Sequence, residues 1–123
     1  FIEKTGTKHF GLNIDFGVFE TERLPDSEWG PGEFVMPPSE HSPVEDIIPL
    51  LPYVYCCHAK FVKMSDDFQE LTIPYEKIIR TLMEHQWDGF MVSEYEGPKK
   101  DVTGYAVDQV RKHHVMMKRI LGE

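Results

Sequence analysis

The chain has 123 residues, with 21 acidic and 13 basic side chains and a formal net charge of −8. That length supports one small domain with a core, and the acidic balance argues against nucleic acid as a partner, because a duplex-binding surface needs a basic stripe. No apolar run approaches the roughly 20 residues of a membrane-spanning helix, so no membrane partner is expected.

The chain opens at Phe1 rather than at methionine, and Phe1-Ile2-Glu3-Lys4-Thr5 lacks the basic-then-apolar pattern of a secretory leader. The start reads as a cut inside a larger protein. Phe10 to Phe16 (FGLNIDF) reads as the first buried strand. Gly17 to His41 is a long stretch rich in Pro, Gly and acid, with Trp29-Gly30-Pro31-Gly32 and Pro37-Pro38 inside it. A loop this long in a compact domain is usually functional. Ser42-Pro43-Val44-Glu45 has the form of a helix start, with Ser42 as cap, Pro43 in the first turn and Glu45 closing a capping box. Pro49 conflicts with a straight helix, so a short or kinked helix ending near Pro52 is predicted.

Tyr53 to Phe61 (YVYCCHAKF) is the second strand. The polar stretch from Lys63 to Thr72 is a loop. Pro74 opens a helix whose apolar face is Tyr75, Ile78, Ile79, Leu82 and Met83. Asp88-Gly89 marks a turn, Phe90 to Tyr95 (FMVSEY) is the third strand, and Glu96-Gly97-Pro98 ends it. The last helix is predicted from about Thr103 to Leu121, with Val107, Val110, Met117 and Leu121 inward. The late cations Lys99, Lys100, Arg111, Lys112, Lys118 and Arg119 suit its solvated face.

Apolar strands alternating with amphipathic helices predict an α/β fold with parallel pairing, covered by helices. Three such units are half of a (β/α)8 barrel or less, since a whole one runs to roughly 250 residues. A part-barrel leaves sheet edges open, so a companion chain, the remaining strands or an oligomer is expected. The two cysteines, Cys56 and Cys57, are adjacent. Neighbouring strand residues point to opposite faces, which disfavours a disulfide between them. They match no zinc-knuckle spacing and read as small strand residues in a reducing, cytoplasmic compartment.

Each strand holds an ionisable residue of ligand type inside an apolar run: Asp15 in LNIDFG, His58 in CCHAKF and Glu94 in VSEYEG. Each lies in the C-terminal half of its strand, the end that carries the active site in parallel α/β barrels. A buried charge is costly unless paired or bound to metal. Taken singly, each has an ordinary explanation: a hydrogen-bonded core histidine, a strand-end glutamate facing water, an aspartate starting a turn. Their coincidence at matching positions points to one shared cation. Carboxylates with one imidazole suit Mn²⁺, Mg²⁺, Co²⁺ or Zn²⁺, with Mn²⁺ placed first. With His58 facing inward, alternation also turns Val54, Cys56, Lys60, Asn13 and Asp15 inward, and Leu12, Ile14 and Phe16 toward the helices.

Lys60 shares the face of His58 and is a candidate to stabilise an oxyanion or hold a substrate hydroxyl, against the ordinary role of a strand-end lysine. Glu96 is read as a rim salt bridge. His9, His41, His85, His113 and His114 lack partners at ligand spacing and are read as surface or interface residues. Trp29 and Phe34 are candidates for a wall on which a sugar stacks, against ordinary loop packing.

Leu12-Asn13-Ile14-Asp15, Cys57-His58-Ala59-Lys60-Phe61, Ile73-Pro74-Tyr75, Trp87-Asp88-Gly89-Phe90 and Ser93-Glu94-Tyr95-Glu96-Gly97 together resemble the sugar phosphate isomerase/epimerase family of xylose isomerase-like TIM barrels. The HAKF and SEYEG segments are similar to members related to C-glycoside deglycosidases. The resemblance covers nearly the whole chain. It implies that residues 1–123 are the C-terminal part of a (β/α)8 barrel, about strands six to eight, without the N-terminal strands. It further implies a single divalent metal held by Glu, Asp, His and Glu, of which Asp15, His58 and Glu94 match the last three. The first glutamate belongs to an earlier strand. The implied activity is sugar isomerisation or epimerisation, by proton abstraction next to a carbonyl through an enediolate, with Glu94 as one of the two proton-transferring carboxylates and Lys60 assisting. Ketose epimerases often carry a substrate-binding histidine three residues after the aspartate. Here that residue is Val18, which weakens that particular reaction.

The same constellation would serve a lyase that eliminates an aglycone from a 3-oxo sugar. A nuclease on the same barrel would need a trinuclear zinc site and more strand-end histidines. A non-catalytic part-barrel that needs a partner chain is the remaining alternative. In the enzymatic readings this chain alone is expected to be inactive.

Overall fold

The structure, a computed structural model, describes residues 2–33 and 40–123. Phe34, Pro37 and Pro38 of the long loop fall outside these. The elements in chain order are α1 (Ile2–Thr5), β1 (Leu12–Asp15), β2 (Val54–Phe61), α2 (Tyr75–Glu84), β3 (Phe90–Tyr95) and α3 (Tyr105–Leu121). Three 3₁₀ segments, Phe16–Phe19, Asp26–Glu28 and Val44–Tyr53, fill the space between β1 and β2.

The three strands form one parallel sheet in the order β1-β2-β3. Parallel neighbours require a crossover between strands, and α2 supplies the one between β2 and β3. One face of the sheet is packed. Cys57, Ala59 and Phe61 of β2 are buried there in a core with Phe16, Ile47, Ile78, Ile79, Met116 and Met117. The other face is bare: Phe90 is 79% exposed and Val92 51%, while Cys56, His58 and Lys60 are half-buried. A (β/α)8 barrel carries its helices on the outside only. A small parallel sheet with one covered and one bare face is compatible with part of such a barrel.

Several details depart from the sequence reading. The first strand is shorter than Phe10–Phe16. Phe10 is 59% exposed, and Phe16 already belongs to a 3₁₀ turn because the Asp15 carboxylate takes the Gly17 N–H at 2.7 Å and bends the chain. Val54 is buried on the helix side, not turned inward. The register shifts between Leu12 and Asn13, which pair with Val54 and Cys56, so Tyr55 is an extra residue and the alternation restarts after it. The expected helix at 42–52 is a 3₁₀ segment without a capping box. Pro49 and Pro52 withhold two backbone donors, Pro43 stands at the cap position, and the Ser42 N–H donates to the Val18 carbonyl.

On α2, Tyr75, Ile78, Ile79 and Leu82 are buried as read, but Met83 is 45% exposed. On α3 the buried stripe is Gln109, His113, Met116 and Met117. Val107 stands two residues before Gln109, about 200° around the helix, and is 74% exposed. Val110 and Leu121 pack partly against the core.

Two polar residues organise the packed side. The Glu70 carboxylate accepts from the backbone N–H groups of Val62, Lys63, Thr72 and Ile73 and from the Thr72 hydroxyl. It thereby closes the loop between β2 and α2. His113, read as a surface residue, is fully buried. Its ring stacks on Phe61 at 4.0 Å, meets Tyr75 edge-on, and its Nδ1 lies 2.9 Å from the Ser93 hydroxyl. An imidazole is flat enough to stack like an aromatic ring, which is how a residue of polar character enters the core stripe.

Burial, with a smaller contribution from the nearby His114 charge, pushes the His113 pKa down to about 3. The folded protein therefore keeps this ring neutral, while the unfolded chain takes up a proton near the ordinary value of about 6.5. Stability present above pH 6.5 is lost as pH falls from there toward 3, at up to about 1.4 kcal/mol per pH unit from this group. Chemical denaturation between pH 7 and 4 is expected to show a steeper loss of stability in the native protein than in His113→Phe. Equal slopes would contradict this account.

Candidate functional site

The site follows from the pairing of the three strands. Asp15 pairs with His58 across β1 and β2, and Lys60 pairs with Glu94 across β2 and β3. His58, Lys60 and Glu94 lie on the bare face, two residues apart on β2 and diagonally across on β3. Asp15 joins them from the last position of β1. Asp15, His58 and Glu94 each offer a ligand atom, and those atoms all lie within 4.8 Å of one another. The sequence reading of this triad thus corresponds to a real cluster.

Asp15 is held from two sides. Its Oδ1 accepts the Gly17 N–H at 2.7 Å, and its Oδ2 lies 2.9 Å from Lys60 Nζ. Glu94 Oε2 is 3.4 Å from His58 Nδ1 but not aligned for a hydrogen bond. It is shut off from solvent and has no hydrogen-bond partner among the described residues. A buried carboxylate oxygen without a donor is costly, and a cation would satisfy it. This orphaned oxygen beside an imidazole and a second carboxylate is the observation that fits a divalent metal. Mn²⁺, Mg²⁺, Co²⁺ and Zn²⁺ all accept such a donor set.

Partial burial works against the charge on Lys60. The hydrogen bond and charge of Asp15, with Glu94 and Glu96 behind them, outweigh it and hold the lysine pKa above its ordinary value. Tyr75 reaches through from the packed face to bond the Lys60 carbonyl at 2.5 Å, which fixes this end of β2. Glu96 is bound to Lys100 at 2.9 Å, the rim salt bridge expected of it.

Trp29 lines a shallow cavity of about 240 Å³ with Glu28, Gly30, Glu33, Lys99 and Asp101. It lies among the loops that follow β1 and β3, and the four site residues do not line that cavity. A larger groove of about 410 Å³ between α2, α3 and the loop before α2 also lacks all four. His9, His41, His85 and His114 are exposed, as read.

Two residues near Lys60 in space or in its electrostatic field were not singled out in the sequence. A Cβ at Gly17 would stand 3.0 Å from both Asp15 Oδ1 and Lys60 Cδ, so a larger residue there would press on the lysine stem and the aspartate turn. The glycine directly after Asp15 was the available signal. Glu20 lies in the same field: partial burial, then the charge of Glu70, raise its pKa against the pull of Arg23 and Lys60. Nothing in its local sequence marks it.

The chain is similar to the 3'-dehydrocarminate deglycosidase alpha subunit of a Microbacterium species, with 30% identity over 83 residues, 68% of this chain and 24% of that protein. It is also similar to C-glycoside deglycosidase alpha subunits of Arthrobacter globiformis, at 28% over 83 residues, and Microbacterium trichothecenolyticum, at 28% over 86 residues. These matches cover 66% and 70% of this chain, but 24% and 19% of those proteins. The chain spans about a quarter or less of the length of the curated relatives it matches. No family model matches it. No helix among the described residues is long and apolar enough to cross a membrane.

Glu94→Gln keeps the side-chain volume but removes one of two clustered carboxylates and gives the orphaned position a donor. It is expected to raise the metal-free melting temperature by a few degrees, about 1 kcal/mol, while weakening Mn²⁺ binding at least roughly tenfold. A variant that melts lower and binds Mn²⁺ as the native chain does would contradict the assignment.

Proposed function

We propose that this chain is the C-terminal part of a divalent-metal-dependent (β/α)8-barrel enzyme acting on sugars, of the C-glycoside deglycosidase type. The observation that carries the proposal is the cluster of Asp15, His58 and Glu94 at one end of a parallel sheet. The deglycosidase names of the similar proteins favour elimination over isomerisation. The remaining barrel strands, in the same protein or a companion chain, would cover the bare face and complete the ligand set. The alpha-subunit names of the relatives support an assembly of more than one chain.

Asp15, His58 and Glu94 would hold the ion, with Mn²⁺ the first candidate. Bound there, a divalent cation supplies Lewis-acid stabilisation of the oxyanion that develops when a sugar carbonyl is enolised. Glu94 acts as the base toward carbon. In a 3-oxo sugar the carbonyl acidifies the C2 hydrogen. Glu94 takes that proton, its electron pair forms the C1–C2 double bond, and the bond from C1 to the aglycone breaks. The departing aglycone carries that bond's electrons and then takes up a proton. Lys60 supplies positive charge toward the oxyanion or a sugar hydroxyl. Trp29, among the loops at this end of the sheet, is proposed as part of the sugar-binding wall.

The same proton abstraction, followed by return of the proton to carbon, would make the enzyme an isomerase or epimerase. Product analysis separates the two. The protein that carries this chain, given Mn²⁺ and a 3-oxo-C-glucoside, is expected to release free aglycone, with Glu94→Gln and His58→Ala each lowering the rate at least roughly hundredfold. Ketose interconversion without aglycone release would favour the isomerase. Undiminished turnover after the metal is stripped would rule out both.

A further inference from the structure

Lys60 occupies a peculiar place. Its ammonium sits 2.9 Å from Asp15 Oδ2, an oxygen of the very carboxylate that a cation would use. The other oxygen, Oδ1, is committed to the Gly17 N–H in the chain's own turn. A backbone donor inside a 3₁₀ turn cannot withdraw without unfolding the turn. A lysine head on a flexible four-carbon stem can, and the Lys60 side chain is 27% exposed. Oδ2 is therefore the oxygen that can change partners.

The pose is built into the fold. The lysine stem passes beside residue 17, where any side chain larger than hydrogen would meet Cδ at 3.0 Å. Tyr75 clamps the Lys60 carbonyl from behind. Without the ammonium, the carboxylate of Asp15 would stand with a ligand atom within 4.8 Å of one of Glu94 and without its ion-pair partner.

We infer that Lys60 is a built-in stand-in cation: it neutralises Asp15 while the site is empty and is displaced from Oδ2 when a divalent ion enters. This rests on the proposed metal-binding role of the triad. Lys60 is in this respect a positioning residue. It offsets the charge of Asp15 beside Glu94 while no ion is bound, and the Gly17 N–H alone holds Asp15 in its turn. Displacement frees its ammonium only after the ion is in place, so metal loading precedes any contact of Lys60 with substrate.

The idea separates from an ordinary salt bridge by the sign of its effect on metal affinity. A residue that merely supports the site would weaken binding when removed. A competitor strengthens it. Calorimetric titration of the full chain with Mn²⁺ is expected to give Lys60→Met a dissociation constant roughly fivefold lower than native, the scale of one partly exposed ion pair given up on metal entry. Lys60→Arg, which keeps the charge, is expected to stay near the native value. On the native chain, Zn²⁺ titration followed by NMR of the lysine Cε–Hε signals is expected to move Lys60 toward the position of a free lysine. Native-like or weaker Mn²⁺ binding by Lys60→Met, or a Lys60 signal unmoved at saturation, overturns the inference and leaves the triad standing. Absence of binding in the native chain, matching His58→Ala, overturns the triad and the inference with it.

Discussion

Everything at the candidate site depends on the parallel pairing of β2 with both of its neighbours. Parallel strands present their C-terminal ends to the same side, and a fixed register sets which residues stand abreast. Here the register sets Asp15 beside His58 and Glu94 beside Lys60. A slip of one residue in either pairing would turn a ligand to the opposite face and into the core. The packed face prevents such a slip. Cys57, Ala59 and Phe61 are buried between the charged positions of β2, and moving them outward would expose apolar area worth about 25 cal/mol per Å². The hydrophobic core thus enforces the geometry of the charges on the other side.

The charges themselves are arranged with little slack. Two carboxylates and an imidazole share one corner, one lysine offsets Asp15, and one oxygen of Glu94 is left without a donor. Such an arrangement costs stability and is held by the surrounding structure: the Asp15 turn on one side, the Tyr75 clamp on Lys60 and the His113–Ser93 contact next to Glu94. The sheet face beside these ligands leaves Phe90 and Val92 exposed.

Much of this was legible in the sequence. Apolar runs located all three strands, and the period-2 rule placed His58, Lys60 and Asp15 on one face. What was not legible has physical causes. The extra residue Tyr55 shifts the phase of β2 at its start, and no composition signal announces a bulge, so Val54 was assigned to the wrong face. His113 was read as polar and therefore outside, although a neutral imidazole stacked on Phe61 packs as an aromatic ring does. Glu70 gathers its donors from four backbone positions brought together only by folding. Ser42 and Glu45 spell a capping box, but Pro49 and Pro52 withhold the donors that an α-helix would need. Local pattern finds elements and faces. It does not find side chains whose role is set by distant backbone.

The central claim is that Asp15, His58 and Glu94 form one cation site. Pulsed electron paramagnetic resonance of the Mn²⁺-loaded protein tests it most directly, because it detects nitrogen bonded to the ion. The account predicts coupling to a single imidazole nitrogen that disappears in His58→Ala. A Mn²⁺ spectrum without nitrogen coupling, or one unchanged by His58→Ala, would contradict it.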